Sequence, residues 1–172
     1  MVSHEMGHIV EGSNNGIHES PAFEVWKDSK WCEFYQYDLY VALGLRYDAD
    51  RVYQKWYHQA DDFPHRGTYW FRDFFYPLWR EHNHAQVMVH FFKLLSEYFP
   101  RKADSNSTDK FFTYSRRMNW GEFIHFMSGA ANSDLRSLAK RAFGWPPEWE
   151  EQFQKARLDF PKIQYKMAAH SR

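Results

Sequence analysis

The feature that most restricts the fold is the run His4-Glu5-Met6-Gly7-His8, an H-E-x-x-H pattern near the start of the chain. Residues four apart on an α-helix lie on one face, with Cβ atoms about 5–6 Å apart. Two imidazoles so placed can bind one Zn²⁺ at about 2.0–2.1 Å each and leave other coordination positions open. Glu5 would project beside the metal as a general base for an attacking water. The run predicts a helix with His4 and His8 as zinc ligands and Glu5 as the catalytic base.

The motif does not say which residue completes the ligand set. Catalytic zinc sites usually have three protein ligands and a water in the fourth position. The metzincin pattern places a ligand six residues after the second histidine, but that position is Asn14, and Glu11 stands where the pattern has glycine. His18 and Glu19 lie in a run rich in Ser, Asn, Gly and Pro, which is typical of a loop. These positions are therefore weak ligand candidates.

Glu33 is the strongest candidate for the third ligand. An aromatic-rich segment is predicted to be helical from Ser29 onward and to end near Gly44, a residue suited to a C-terminal cap. A second helix packed across the first can bring a carboxylate to the metal, and helices hold ligands more rigidly than loops do. Glu24, in a short apolar run, and Asp38, further along the same helix, remain open as alternatives.

The two segments HEMGH and WKDSKWCEF together resemble the gluzincin zinc metallopeptidases. In aminopeptidase N relatives, a tryptophan-rich helix with the pattern W-x-x-x-W-x-x-E-G-F carries the zinc-binding glutamate, and enhancin-like peptidases show a similar two-helix arrangement with a variable gap. The resemblance covers roughly residues 3–45 and implies that His4, His8 and Glu33 bind zinc while Glu5 acts as the base. This chain departs from the pattern in three ways: its gap between the segments is longer, Cys32 replaces an asparagine, and Phe34 replaces a glycine.

The resemblance also sets expectations for the fold. In gluzincins a β-sheet precedes the H-E-x-x-H helix, whereas only three residues precede His4 here. We therefore expect a fragment of a longer protein: a mainly α, zincin-like catalytic subdomain that lacks the upstream β-sheet. Residues 1–172 are expected to form one helical domain, with active-site helices over about 1–45 and a C-terminal helical part over about 46–165. The segment 123–146 resembles the closing helices of the same catalytic domains.

Local signals predict several further helices and no strands. Asn119 and Glu122 fit a capping box at the start of a helix. Asn132 or Ser133 is expected to cap the next helix, which Gly144 would end. Other predicted helices cover about 48–60, 69–76 with a break at Pro77, 84–99, and 148–159 with Pro147 in its first turn.

Composition restricts partners and location. The formal net charge is zero and no basic stripe is present, so nucleic acid is not an expected partner. No apolar stretch approaches the roughly 20 residues that span a bilayer. The single cysteine, Cys32, excludes an internal disulfide. A glycosylation sequon at residues 106–108 favours a secreted parent protein.

These features predict a zinc-dependent metallopeptidase that acts on a peptide, protein or glycoprotein. The alternative is a catalytically inactive helical module that binds a protein or glycan, and a third possibility is that His4 and His8 bind no metal. Asp28 or Asp38 could accept the second ring N–H of a zinc histidine. His82, His84 and His90 are a poor second metal site because residues two apart face different sides of a helix. The resemblance implies a Tyr or His that stabilises the oxyanion, and six residues stay open for that role: Tyr69, Tyr76, His82, His84, Tyr114 and His125.

Overall fold

The computed structural model describes residues 2–12, 17–18, 20–28, 30–103 and 112–167. The described chain is mainly helical, as predicted. Its α-helices are α1 Val2–Gly12, α2 Phe23–Trp26, α3 Lys30–Ala42, α4 Arg46–Tyr57, α5 Tyr76–Glu81, α6 Gln86–Tyr98, α7 Trp120–Ala131, α8 Arg136–Phe143 and α9 Pro147–Asp159. A π-helical segment, Trp70–Phe75, leads directly into α5. The predicted sequon at 106–108 and the positions Asn14 and Glu19 lie outside the described residues.

A small sheet corrects the prediction that the chain has no strands. It consists of β1 Ile17–His18, β2 Arg101–Ala103 and β3 Phe112–Tyr114 in the order β1-β3-β2. Strand β1 runs parallel to β3, and β2 runs antiparallel to it. Strands of two or three residues are too short to show the alternation that identifies a strand in a sequence.

The start of α7 follows its sequence signal. The side chain of Asn119 accepts a hydrogen bond from the Glu122 backbone N–H, and the Glu122 side chain accepts one from the Asn119 N–H, which confirms the capping box. The helix α8 forms and ends at Gly144 as predicted, but the prediction of its N-terminal cap is wrong. Asn132 instead ends α7 in a left-handed conformation with φ of 51°, and Leu135 precedes α8 without a side-chain cap.

The core of the molecule is aromatic. Trp26 of the short helix α2 is fully buried, and its ring lies 5.7–6.3 Å from those of four phenylalanines. Such ring pairs add to the stability that burial alone gives. The cluster of buried side chains runs from Ala22 to Ile163, so helices from both ends of the chain share it. The four phenylalanines are Phe75, Phe91, Phe92 and Phe123.

Two groups of three packed helices, one around α7 and one around α3, set the positions of the remaining elements. Helix α7 packs against α6 and α9, and Trp120 stacks on Trp149 with ring centroids 4.2 Å apart. Helix α1 packs along α3, and α3 packs against α4. Since Trp26 and Trp31 join α2 and α3 to the core, α3 is the platform that places α1 at one side of the molecule. No helix within the described ranges is long and apolar enough to cross a membrane.

Candidate metal centre

The predicted motif lies on helix α1, which is held closely against α3. A Cβ added to Gly7 would lie 2.9 Å from the Cys32 sulfur and 3.3 Å from the Cys32 Cα, so only glycine allows this approach. The Trp31 indole N–H donates to the Gly7 carbonyl oxygen at 3.2 Å. One turn earlier, the Gln36 amide donates to the Ser3 hydroxyl at 2.8 Å. The small residue at the centre of the motif therefore fixes which face of α1 meets α3.

This contact brings the two motif histidines together with Cys32. The imidazole centroids of His4 and His8 lie 4.9 Å apart, and His8 Nδ1 lies 3.5 Å from Cys32 Sγ. One donor atom from each of the three residues lies within 4.8 Å of the other two. Ligand atoms around a tetrahedral zinc lie roughly 3.3–3.6 Å apart, given bond lengths of about 2.0–2.3 Å. The three donors fit zinc in kind, and their spacing of up to 4.8 Å is wider than that of ligands around a bound zinc.

Burial raises the pKa of the Cys32 thiol to about 12, and the nearby carboxylates act in the same direction. The side chain is completely buried, so in the protein alone it carries its proton and has an inert thiol. Binding of a metal ion deprotonates a coordinating thiol, which makes metal affinity dependent on pH.

One carboxylate lies near each ring nitrogen of His8. Asp28 Oδ1 lies 3.5 Å from His8 Nε2, the ring nitrogen opposite the one that faces Cys32. The buried Glu11 lies 4.0 Å from His8 Nδ1 and accepts a 2.7 Å hydrogen bond from the Trp26 indole. Burial raises the pKa of Glu11. Of the two acceptors considered for a zinc histidine, Asp28 occupies that position, whereas Asp38 accepts from the Trp79 indole at 2.7 Å.

The predicted third ligand, Glu33, is engaged elsewhere. Its buried carboxylate receives hydrogen bonds of 3.0 and 3.2 Å from the Lys30 ammonium, which also bonds Asp61 at 2.7 Å. Burial raises the pKa of Glu33, and the Lys30 charge opposes that rise. The structure groups His4 and His8 with the preceding residue, Cys32, and not with Glu33. The alternative Glu24 is exposed and pairs with Lys27 at 3.3 Å.

Glu5 is exposed and lines a cleft that His4 also lines, whereas His8 lines a separate cleft with Glu11 and Gly12. The cleft beside Glu5 has a volume of about 390 Å³ and lies between α1, α3 and α4. His4 and Glu5 form its α1 side, and Tyr40 lies on its α3 side, where the hydroxyl is 3.3 Å from the Ser3 hydroxyl. The proposed base therefore faces a space large enough for part of a substrate.

The predicted oxyanion donors do not line this cleft. His125 is buried in the core, where Tyr165 donates to its Nδ1 at 2.9 Å and its Nε2 donates to the Phe160 carbonyl at 3.3 Å. Burial lowers the pKa of His125. His84 packs its ring against Trp79 at 4.3 Å. The others that lie outside the cleft are Tyr69, Tyr76, His82 and Tyr114.

A second metal site receives no support. Within the described residues, His4, His8 and Cys32 are the one set of three suitable donors that lie close together. His82 ends α5, while His84 follows it with a positive φ of 55° and packs on Trp79. His90 lies exposed on α6.

The chain was compared with protein-family models, curated proteins and solved structures, and none of the three comparisons gave a match. The site therefore has to be interpreted from its own geometry.

The sequence did not indicate that Cys32 lies beside the two histidines, and it did not indicate which residues α3 and α4 contribute to the cleft. A usable signal was present. Cys32, Gln36 and Tyr40 are spaced four apart and share one face of α3, as Arg51 and Lys55 do on α4. What the spacing does not show is that these faces meet the motif helix.

Proposed function

We propose that this protein is a zinc-dependent hydrolase of peptide bonds. The observation that carries the proposal is the convergence of His4, His8 and Cys32 at one point, beside a cleft that Glu5 lines. Two imidazoles and a thiol are donors that zinc prefers. The choice of a peptide substrate rests on the His-Glu-Met-Gly-His run and its resemblance to gluzincins.

Each side chain has a role in this proposal. When bound, zinc lowers the pKa of a water molecule toward about 7 and polarises a carbonyl group. The Glu5 carboxylate takes the proton from the attacking water and returns it to the leaving amine. Asp28 Oδ1 lies 3.5 Å from His8 Nε2, close enough to accept that N–H after a small movement and so to favour the tautomer whose Nδ1 binds the metal.

Tyr40 is our candidate for stabilising the oxyanion. Tyr40 lines the cleft, and its hydroxyl accepts a hydrogen bond from Gln36 at 3.3 Å, so its proton can be donated either to the Ser3 hydroxyl at 3.3 Å or to a bound substrate. A donor aimed at the developing charge contributes strongly to catalysis in a site that excludes water.

Three residues compete to complete the ligand set. Cys32 is favoured by its place in the group with His4 and His8. Asp28 is next, because it approaches His8 and is exposed enough to move. Glu33 is favoured by the gluzincin resemblance, but it would have to leave its ion pair with Lys30.

The first experiment measures zinc in the purified protein by mass spectrometry and titrates the metal-free protein with zinc. We expect one zinc per chain, lost in His8→Ala and weakened at least tenfold in Cys32→Ala. Asp28→Asn and Glu33→Gln test the competitors, and Glu24→Gln is the control, since that residue is exposed and paired with Lys27. X-ray absorption should detect a sulfur at about 2.3 Å from the metal. A protein that binds no zinc at all would refute the proposal.

The second experiment incubates the zinc-loaded protein with a peptide mixture and identifies products by mass spectrometry. Glu5→Gln should keep its zinc and lose at least a hundredfold in rate, while Glu24→Gln should match the unmodified chain. Zinc binding without cleavage of any peptide would refute the hydrolase and favour the inactive binding module.

A further inference from the structure

The cleft beside Glu5 has a cationic wall opposite the motif helix. Arg51 and Lys55 lie four residues apart on α4, and both line the cleft. Residues at this spacing project from the same face of a helix. Glu5 is the one acidic side chain that the described part of the chain places in the cleft, so cationic groups outnumber it there.

Neither cation is fully used by the protein. Arg51 bonds Asp48 through one nitrogen at 3.2 Å, which leaves most of its five N–H donors available. The Lys55 ammonium lies 4.0 Å from the Trp56 ring centroid, and no described carboxylate lies within 4.0 Å of it. Contact with an aromatic face attracts the ammonium but does not occupy its hydrogen-bond donors. A paired carboxylate would occupy them.

The third observation concerns Trp56, which also lines the cleft. Its indole N–H is buried and is the one such side-chain group in the described chain that has no hydrogen-bond partner. Leaving a buried donor without an acceptor costs roughly 1–3 kcal/mol, so such groups are rare and call for an explanation. Because Trp56 lines the cleft, a ligand that binds there and displaces the atoms covering this N–H would satisfy it.

We propose that this cleft binds a carboxylate group of the substrate, with Arg51, Lys55 and the Trp56 N–H as its donors. Arginine binds a carboxylate through two parallel hydrogen bonds, and charged hydrogen bonds are about twice as strong as neutral ones. Because the cleft is also lined by His4 and Glu5, the bound carboxylate lies close to the motif. This inference rests on the proposed function. It implies that the enzyme prefers peptides that it can cut near a free C-terminus or beside an acidic side chain.

The test uses metal-free protein, so that it does not depend on zinc or on activity. Tryptophan indoles are labelled with ¹⁵N, the Trp56 signal is assigned with Trp56→Phe, and three peptides are titrated. Acetyl-Gly-Gly offers a terminal carboxylate, its amide offers none, and acetyl-Gly-Glu-Gly amide offers only a side-chain carboxylate. We expect the Trp56 signal to shift saturably with a carboxylate peptide and not with the plain amide. The two acidic peptides distinguish a C-terminal from a side-chain source.

Variants check the two cations. Arg51→Gln and Lys55→Gln should each weaken binding about tenfold or more. Arg46→Gln is the matched control, because Arg46 is an exposed cation on the same helix outside the cleft. An unmoved Trp56 signal, equal binding of the plain amide, or unchanged affinity in both cation variants would overturn the inference. A protein that binds zinc but no carboxylate would refute this inference and leave the proposed function standing. A protein that binds the carboxylate peptides but no zinc would refute the proposed function and leave only the carboxylate site.

Discussion

Two helix pairs in this protein meet at a glycine, and they differ in what surrounds the contact. At α7 and α9, a Cβ on Gly121 would lie 2.2 Å from the Phe153 backbone nitrogen. At α1 and α3, a Cβ on Gly7 would lie 2.9 Å from the Cys32 sulfur. Both contacts are closer than a Cβ allows without movement, but at Gly121 the atoms that would have to move are backbone, whereas at Gly7 the nearest is a side-chain sulfur.

The polar groups near the two contacts differ in their hydrogen-bond partners. Beside α7, the buried Glu122 is bonded by Arg116 at 2.6 and 2.8 Å and caps its own helix. Its partners are part of the chain. Beside α1, two imidazoles and a buried thiol face one another, although none of them gives another a strong acceptor. The α1–α3 contact therefore gathers groups that could bind a metal ion, as the proposed function requires, whereas the polar groups beside the α7–α9 contact are paired within the chain.

The largest expected effect tests the structural side of this comparison. Phe123 on α7 is fully buried and contacts the Trp26, Phe74 and Phe91 rings. Phe123→Ala should lower the free energy of unfolding by about 3–5 kcal/mol, because it leaves a cavity in the core. Chemical denaturation of the metal-free protein measures the change. Leu158→Ala is the control, since Leu158 is 81% exposed and its loss should change little. A change below 1 kcal/mol for Phe123→Ala would contradict the assignment of the core.

The two glycines allow a direct comparison. Gly121→Ala should destabilise the protein by about 2–3 kcal/mol, because the added methyl meets backbone atoms that cannot move alone. Gly7→Ala should cost about 1 kcal/mol or less, because the thiol can shift and alanine favours a helix by about the same amount. Removing the sulfur in Gly7→Ala/Cys32→Ala should relieve part of the loss, as a double-mutant cycle would measure. If Gly7→Ala and Gly121→Ala lowered the free energy of unfolding equally, the two helix contacts would not differ in how they tolerate a methyl group.

The smallest effect concerns pH. His125 near α9 has a lowered pKa because it is buried. The folded protein then binds fewer protons than the unfolded chain below about pH 6.5, so stability falls as pH decreases through that value. One histidine contributes a slope of at most about 1.4 kcal/mol per pH unit. Unfolding at pH 7 and pH 5 should show a smaller decrease in His125→Gln than in the unmodified chain. Parallel pH profiles would argue against this role.

Much of the fold was predictable because its signals are local. The capping box at Asn119 and Glu122 and the proline at the start of α9 act within a few residues, and both are confirmed. The cap of α8 was wrong because Asn132 serves the preceding helix instead. A local pattern shows that a polar residue suits a helix end, but it does not show whether the residue ends one helix or begins the next.

The site was predictable only in part, for a reason of geometry. His4, Glu5 and His8 share one helix, so their relation follows from the sequence alone. Cys32 and Glu33 are adjacent on α3 and differ by about 100° in direction. Which of them faces α1 depends on how the helices pack at Gly7, and that contact joins segments 24 residues apart. The cationic residues of α4 depend on a further long-range contact, so no local pattern could place them beside Glu5.

The contact between His8 and Cys32 joins positions 24 residues apart, the first helix and the platform on which the core is built. A metal ion that bound there in the folded chain and not in the unfolded chain would stabilise the fold by about 2.7 kcal/mol at a free concentration one hundred times its Kd. The ion would then bind the motif helix to the rest of the molecule as well as serve the chemistry. Holding and releasing zinc would therefore change how firmly the chain is folded.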